Sequence, residues 1–342
     1  MLTGDGRLAD RRPVDFHVLD APLGRQDLAA YAAHRDGAWG PWRVSMVAST
    51  ASIVLGIATV GLFPRFGWLV VLVGGLALAL VVSGWRWWLV GFSRSARLAR
   101  FANANGFAYA DELRNDSRAG VGFPPGKQNV GRASIFVDGA HGTFLIGQNT
   151  VVSPRGESAV DFRRPFRFVE LELPAAVPHV LLKNRRSRIL PMIDGAAPNS
   201  VRLGLEGDFD RSFTLHCPKG YERDALYLFT PNVMAALLDV ARTAEVELVD
   251  RRMYVYLPAR TPVWTSDGMR SVFDLVELLG RRVHRNAVRY ADDRAEESGT
   301  VAQAGSRIRT AGRFTGLTVI WLLTIVVSTG LILIGPALLA RS

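Results

Sequence analysis

Cysteine occurs once in 342 residues, as Cys217. An intramolecular disulfide and a multi-cysteine metal site are therefore excluded. His216 precedes it, but neighbouring residues of a strand point to opposite faces, which places the pair poorly for proton transfer. Lysine is nearly as scarce. Only Lys127, Lys183 and Lys219 occur, so the net charge of +10 rests on arginine, a skew that a GC-rich coding bias explains as readily as selection. The six histidines, His17, His34, His141, His179, His216 and His284, lack zinc-ligand spacing, and no H-E-x-x-H occurs. A G-x-S-x-G elbow, a Rossmann glycine set, kinase signatures and long internal repeats are also missing. The stretch 120–127, GVGFPPGK, fails as a phosphate loop. Val121 stands where the first glycine is needed, Gln128 replaces the Ser or Thr, and two prolines remove backbone donors. No cofactor is implied.

Charge is missing altogether from three long apolar runs, 44–63, 67–85 and 316–340. Each is long enough as a helix to match a bilayer core of roughly 30 Å. Pro64, Arg65 and Phe66 form a tight turn between the first two, and Trp68, Trp85, Trp87 and Trp88 mark interfacial positions. Small residues such as Ser45, Ala48, Gly74 and Gly75 favour close helix packing. No ionisable group lies inside these runs, which argues against a transporter or channel.

These runs divide the chain into a flexible N-terminal tail (1–43), a transmembrane hairpin (44–92), an α+β domain with mostly antiparallel strands (93–291), a linker (292–315) and a third transmembrane helix (316–340). The tail has no apolar stretch behind a basic start, contrary to a cleavable signal peptide. Arg35, Arg43, Arg86, Arg94, Arg97, Arg100, Arg307, Arg309 and Arg313 flank one side of the spans, against Arg65 and Arg341 on the other. The positive-inside rule then puts the N-terminus and 93–315 in the cytoplasm and the C-terminus outside.

Within the domain, the Asp138-Gly139 turn signal joins strands over 133–137 and 143–147. Alternation predicts strands over 166–173 and 212–216, with Glu170 and Glu172 facing solvent. Thr230 and Pro231 start a helix over 232–244. A strand pair over 245–249 and 253–257 and an amphipathic helix over 272–289 follow.

The segment 206–258 carries Phe209 and Phe213 around a short strand, then Tyr227, Phe229, Thr230, Pro231 and Met234 at a helix start, then the closing strand pair. In this it resembles the C-terminal half of a bacterial domain family of unknown function found in membrane-anchored proteins. The strands of 107–173 match more loosely, and the third span departs from the simplest versions. The resemblance implies a fold and a membrane setting, and the three apolar runs with their flanking charge make that setting the bacterial inner membrane, multi-pass. It supplies no activity and no catalytic residues.

Two sets of residues could carry chemistry. Lys183, Arg185, Arg186 and Arg188 form the densest basic run, and Arg94, Arg97 and Arg100 form a helical stripe; both could contact phosphates of anionic lipid headgroups. Aromatics do not interleave the basic run, so nucleic acid is not expected. Asp208 and Asp210, two apart on a strand, could share a hard cation. The expected function is a non-catalytic binding or scaffold module at the cytoplasmic membrane face. Its partners would be the lipid bilayer, anionic headgroups or a membrane protein. The alternatives are a metal-assisted enzyme at the membrane surface and a sensor or regulatory subunit of a membrane complex.

Overall fold

A computed structural model describes residues 13–34, 67–114, 118–123, 128–139, 142–152, 165–187, 189–190, 199–204, 208–240, 243–295, 297 and 299–308. The helices are α1 (Arg25–His34), α2 (Gly67–Ala104), α3 (Asp208–Ser212), α4 (Glu222–Leu228), α5 (Pro231–Val240), α6 (Ser266–Val288) and α7 (Gln303–Ser306). The strands are β1 (Ala108–Arg114), β2 (Gln128–Gly139), β3 (Gly142–Val152), β4 (Phe166–Asn184), β5 (Ser200–Leu203), β6 (Phe213–Pro218) and β7 (Glu245–Pro258). All pair antiparallel in the order β1-β2-β3-β4-β6-β5, with β7 also on β4.

Among the described residues no helix is long and apolar enough to cross a membrane. That finding corrects the three-span architecture, and with it the integral-membrane function and the multi-pass inner-membrane placement. The run 67–85 does enter a helix, but α2 continues unbroken to Ala104. Up to Gly91 its positions with described side chains, among them Gly75, Ser83 and Arg86, are exposed and are small, polar or charged as well as apolar, whereas Ala96, Leu98, Phe101 and Ala102 further along are buried. The runs 44–63 and 316–340 lie outside the described residues.

The sheet is organised by β4. One edge pairs with β3 through Phe166 to Leu171 and then with β6 through Leu181 to Asn184, while the other edge carries β7. The sequence pattern predicts that this strand stops at Leu173. It continues instead through Pro174 and Pro178, where register shifts between Glu172 and Val177 and between Val177 and Val180 absorb the missing N–H donors. The anticipated pair over 245–257 is one strand, β7, both halves of which lie on β4. Asp250, with φ of 53°, lets the strand bend without reversing.

Alternation gives the sheet two apolar faces. On the first, Val169, Leu171, Leu182, Val246, Leu248 and Val255 are buried beneath α6, which contributes Val272, Leu275, Val276, Leu279 and Val283 at helical spacing. On the second, Phe166, Phe168, Leu181, Tyr254 and Tyr256 meet Phe123, Leu190 and Ile308 from irregular chain. Phe123 packs edge-on against Phe168 at 5.2 Å between ring centroids.

Two segments expected to be loose are docked. Phe16 and Leu19 are buried in the first core, and Arg100 donates to the carbonyls of Val18, Ala21 and Pro22 at 2.6, 2.7 and 3.0 Å. At the other end, residues 299–308 lie across the domain as a strap. Asp292 accepts from Tyr221 Oη at 2.9 Å and from the Ala302 N–H at 3.0 Å, and Ile308 is buried.

Candidate functional site

The basic run 183–188 separates on folding. Lys183 is buried at the end of β4, whereas Arg185 lies in the following turn and pairs with Asp210 at 3.0 Å. The Arg186 N–H donates to Asn184, and Arg188 lies outside the described residues. The stripe on α2 turns toward protein. Arg97 donates to the Leu19 carbonyl at 2.6 Å, Arg100 pairs with Asp27 at 3.1 Å, and Arg94 lies over the Trp264 ring at 3.9 Å. Asp208 and Asp210 belong to α3, not to a strand. The strand placement assumed for that pair is therefore replaced by a short helix; the side chain of Asp208 lies outside the described ones, and that of Asp210 is the one paired with Arg185. Among the described residues no group of three or more potential metal ligands occurs.

A polar network that the sequence pattern does not announce lies on the second face of the sheet. Glu247 on β7 is fully buried. Its carboxylate accepts from Tyr256 Oη at 2.5 Å and from the Val121 N–H at 2.9 and 3.0 Å, and His179 Nε2 lies 2.6 Å away. The other imidazole nitrogen, Nδ1, accepts the Ile308 N–H at 2.9 Å, which places the ring proton on Nε2 as donor to Glu247. Gly120 permits this closeness, since a Cβ there would meet Tyr256 Oη at 2.4 Å. The network joins the sheet to two covering segments, 118–123 and the strap.

Glu245, on the same face, accepts from the Leu190 N–H at 3.1 Å. Burial pushes its carboxyl up to about 7, against the opposing charge of Lys183. Across β4, burial, then Lys183 and Arg202, pull His216 down to about 4. Cys217 faces the opposite core, and burial raises its thiol to about 12. A thiol held neutral beside an imidazole that is also neutral has no nucleophilic activation. Glu170, expected in solvent, accepts from Arg118 Nε at 2.8 Å and also pairs with Arg252, while Glu172 is exposed.

Open chemistry lies elsewhere. Arg282, Arg285, Asn286 and Arg289 on the last turns of α6 and just beyond, with Thr230 and Asn232 at the start of α5, line a cavity of 450 Å³. The wall is built by two ties. Arg282 donates to the Asn232 carbonyl, and Asn286 Nδ2 donates to the carbonyls of Tyr227 and Leu228 at 3.2 Å. These ties hold α6 against the α4–α5 corner and leave Arg285 and Arg289 exposed at the rim. Among the described residues no carboxylate belongs to the lining. The two halves of this site lie some fifty residues apart in the chain, so local spacing offers no sign of it beyond the Arg282, Arg285 and Arg289 periodicity.

No family model matches the chain, and no curated protein matches it. Among solved structures, the crystal structure of the mycobacterial trehalose monomycolate transport factor A, TtfA, is similar over 54% of this chain and 95% of that one. The TM-score is 0.35 and the identity 12%, a likeness that carries no argument about function.

Proposed function

We propose that this protein recognises a phosphate-bearing ligand in the arginine-lined cavity between α5 and α6. The observation that carries the reading is the lining itself: three guanidiniums, two amide side chains and a hydroxyl around 450 Å³, with no acidic residue among the described ones. Guanidinium forks match phosphate oxygens in geometry and keep their charge at all working pH values. The start of α5 adds the positive end of a helix dipole on the same side, although Pro231 has no N–H and those of Val233 and Met234 are bonded to the Thr230 carbonyl. Asn232 and Asn286 supply neutral polar groups beside the charge.

The phosphate could be free in solution or part of a lipid headgroup, and the test separates them. Calorimetric titration with inorganic pyrophosphate is run beside sedimentation with phosphatidylglycerol and phosphatidylcholine vesicles. The expected result is pyrophosphate binding that falls about tenfold or more in Arg285→Ala/Arg289→Ala, because each charge-assisted contact contributes roughly 1.5–3 kcal/mol. Both side chains are exposed, so the variant keeps its unfolding temperature. Binding only to the anionic vesicles, lost in the same variant, assigns the lipid source. Equal binding of wild type and variant to both probes overturns the proposal.

A further inference from the structure

At the other end of α6 a second cationic group stands without an acidic partner among the described residues. Arg167 on β4 is buried at 6% exposure, and its Nε has no hydrogen-bond partner among the described residues. Its guanidinium lies 5.1 Å from the centre of the Trp264 ring, and that of Arg94, from α2, lies 3.9 Å from the same centre. Among the described residues neither arginine forms an ion pair. Trp264 offers each an aromatic face, which attracts a cation but does not neutralise it. Two like charges gathered at one ring, one of them withdrawn from water, are unfavourable as they stand. Burial and the charge of Arg94 together pull Arg167 down to about 10, which agrees with that geometry.

A buried polar atom without a partner calls for an occupant. We infer that Arg167 and Arg94, assembled around Trp264, form a binding site for a phosphate-type oxyanion. The anion accepts from the guanidiniums and removes their mutual repulsion, and Trp264 fixes both in place. The site joins β4, α2 and the start of α6, so its occupation ties the long helix to the sheet. It is separate from the cavity at the far end of α6 and does not depend on that reading.

The test uses the full chain carrying Arg285→Ala/Arg289→Ala, so that the other cavity does not contribute. Thermal unfolding is followed in inorganic phosphate and in chloride at matched ionic strength, with and without Arg94→Gln. Arg94 is exposed, so its replacement leaves the core intact. Phosphate is expected to raise the unfolding temperature of the parent, with about a tenfold higher half-saturating concentration in Arg94→Gln. In chloride alone Arg94→Gln is expected to be as stable as the parent or more so, because it removes a repulsion. A purely structural stacking role predicts the opposite, a loss of stability in chloride. Arg167→Met is expected to abolish the phosphate response. The same phosphate response in parent and Arg94→Gln, or no response in the parent, overturns the inference.

Discussion

Lys183 places one positive charge between two groups that burial affects in opposite senses. Glu245 is driven to about 7 from 4.5, and His216 to about 4 from 6.5. Each prefers its neutral form in the folded chain. For Glu245 the folded value lies above the unfolded one, so its contribution is complete below pH 4.5 and is lost as pH rises toward 7. For His216 the folded value lies below, so its contribution is complete above pH 6.5 and is lost as pH falls toward 4. Each slope integrates to on the order of 3 kcal/mol. The two oppose each other and leave the wild type nearly flat between them. Glu245→Gln is expected to uncover a stability that climbs from pH 4 to 6.5, and His216→Gln one that declines from pH 4.5 to 7. Urea unfolding across that range checks both. Two flat profiles would show that neither group is held neutral. None of this is legible in the sequence, because His216, Lys183 and Glu245 come from three strands and meet only through the β6-β4-β7 order.

Periodicity carries elements well where one period runs uninterrupted. The β2–β3 hairpin, α5 and α6 follow from alternation, a Thr-Pro start and a helical stripe. The errors have physical causes. Asp250, Arg251 and Arg252 look like a turn, yet Asp250 adopts a positive φ within a continuous strand, and Arg251 donates to the Pro174 carbonyl at 3.0 Å. Pro174 looks like a strand terminator, but β4 bulges there and resumes. The polar segments at either end look like tails because their anchors are few and specific. Arg100 is the clearest case, since one guanidinium holds three carbonyls and Asp27. Arg100→Ala is expected to cost roughly 2–3 kcal/mol, the sum of several partly exposed hydrogen bonds. Amide exchange should accelerate in 16–27 while the sheet keeps its protection. The strap offers a parallel test in Gly305→Val. A Cβ at that position would meet the Tyr221 ring at 2.5 Å, so the side chain forces the strap off. The same variant should expose Ile308 to exchange. An unchanged strap would show that Tyr221 simply rotates away.

At the scale of the molecule the two faces of the sheet are covered in different ways, and that difference sets an order of opening. The first face lies under α6 and its neighbours, which bury apolar side chains at regular spacing along whole helices. The second lies under short irregular segments attached by one buried apolar side chain each, Phe123, Leu190 and Ile308, and a handful of polar anchors. Val121 N–H binds Glu247, Leu190 N–H binds Glu245, and Ile308 N–H binds His179. Regular helices hold their amides through intrahelical bonds even when the surroundings loosen, whereas a segment with one anchor is released when that anchor breaks. The amides of Val121, Leu190 and Ile308 are therefore expected to exchange through local opening, with less protection than Val169, Leu248 and Val255 in the β4–β7 pair. Denaturant should accelerate the strand amides steeply, because they await global unfolding, and the three anchor amides only weakly. Native-state hydrogen exchange across a denaturant series decides the matter. If all six amides converge on one free energy with one slope, the covering segments and the sheet form a single cooperative unit. The Glu247 network would then be part of the core itself, and the strap could not move independently of it.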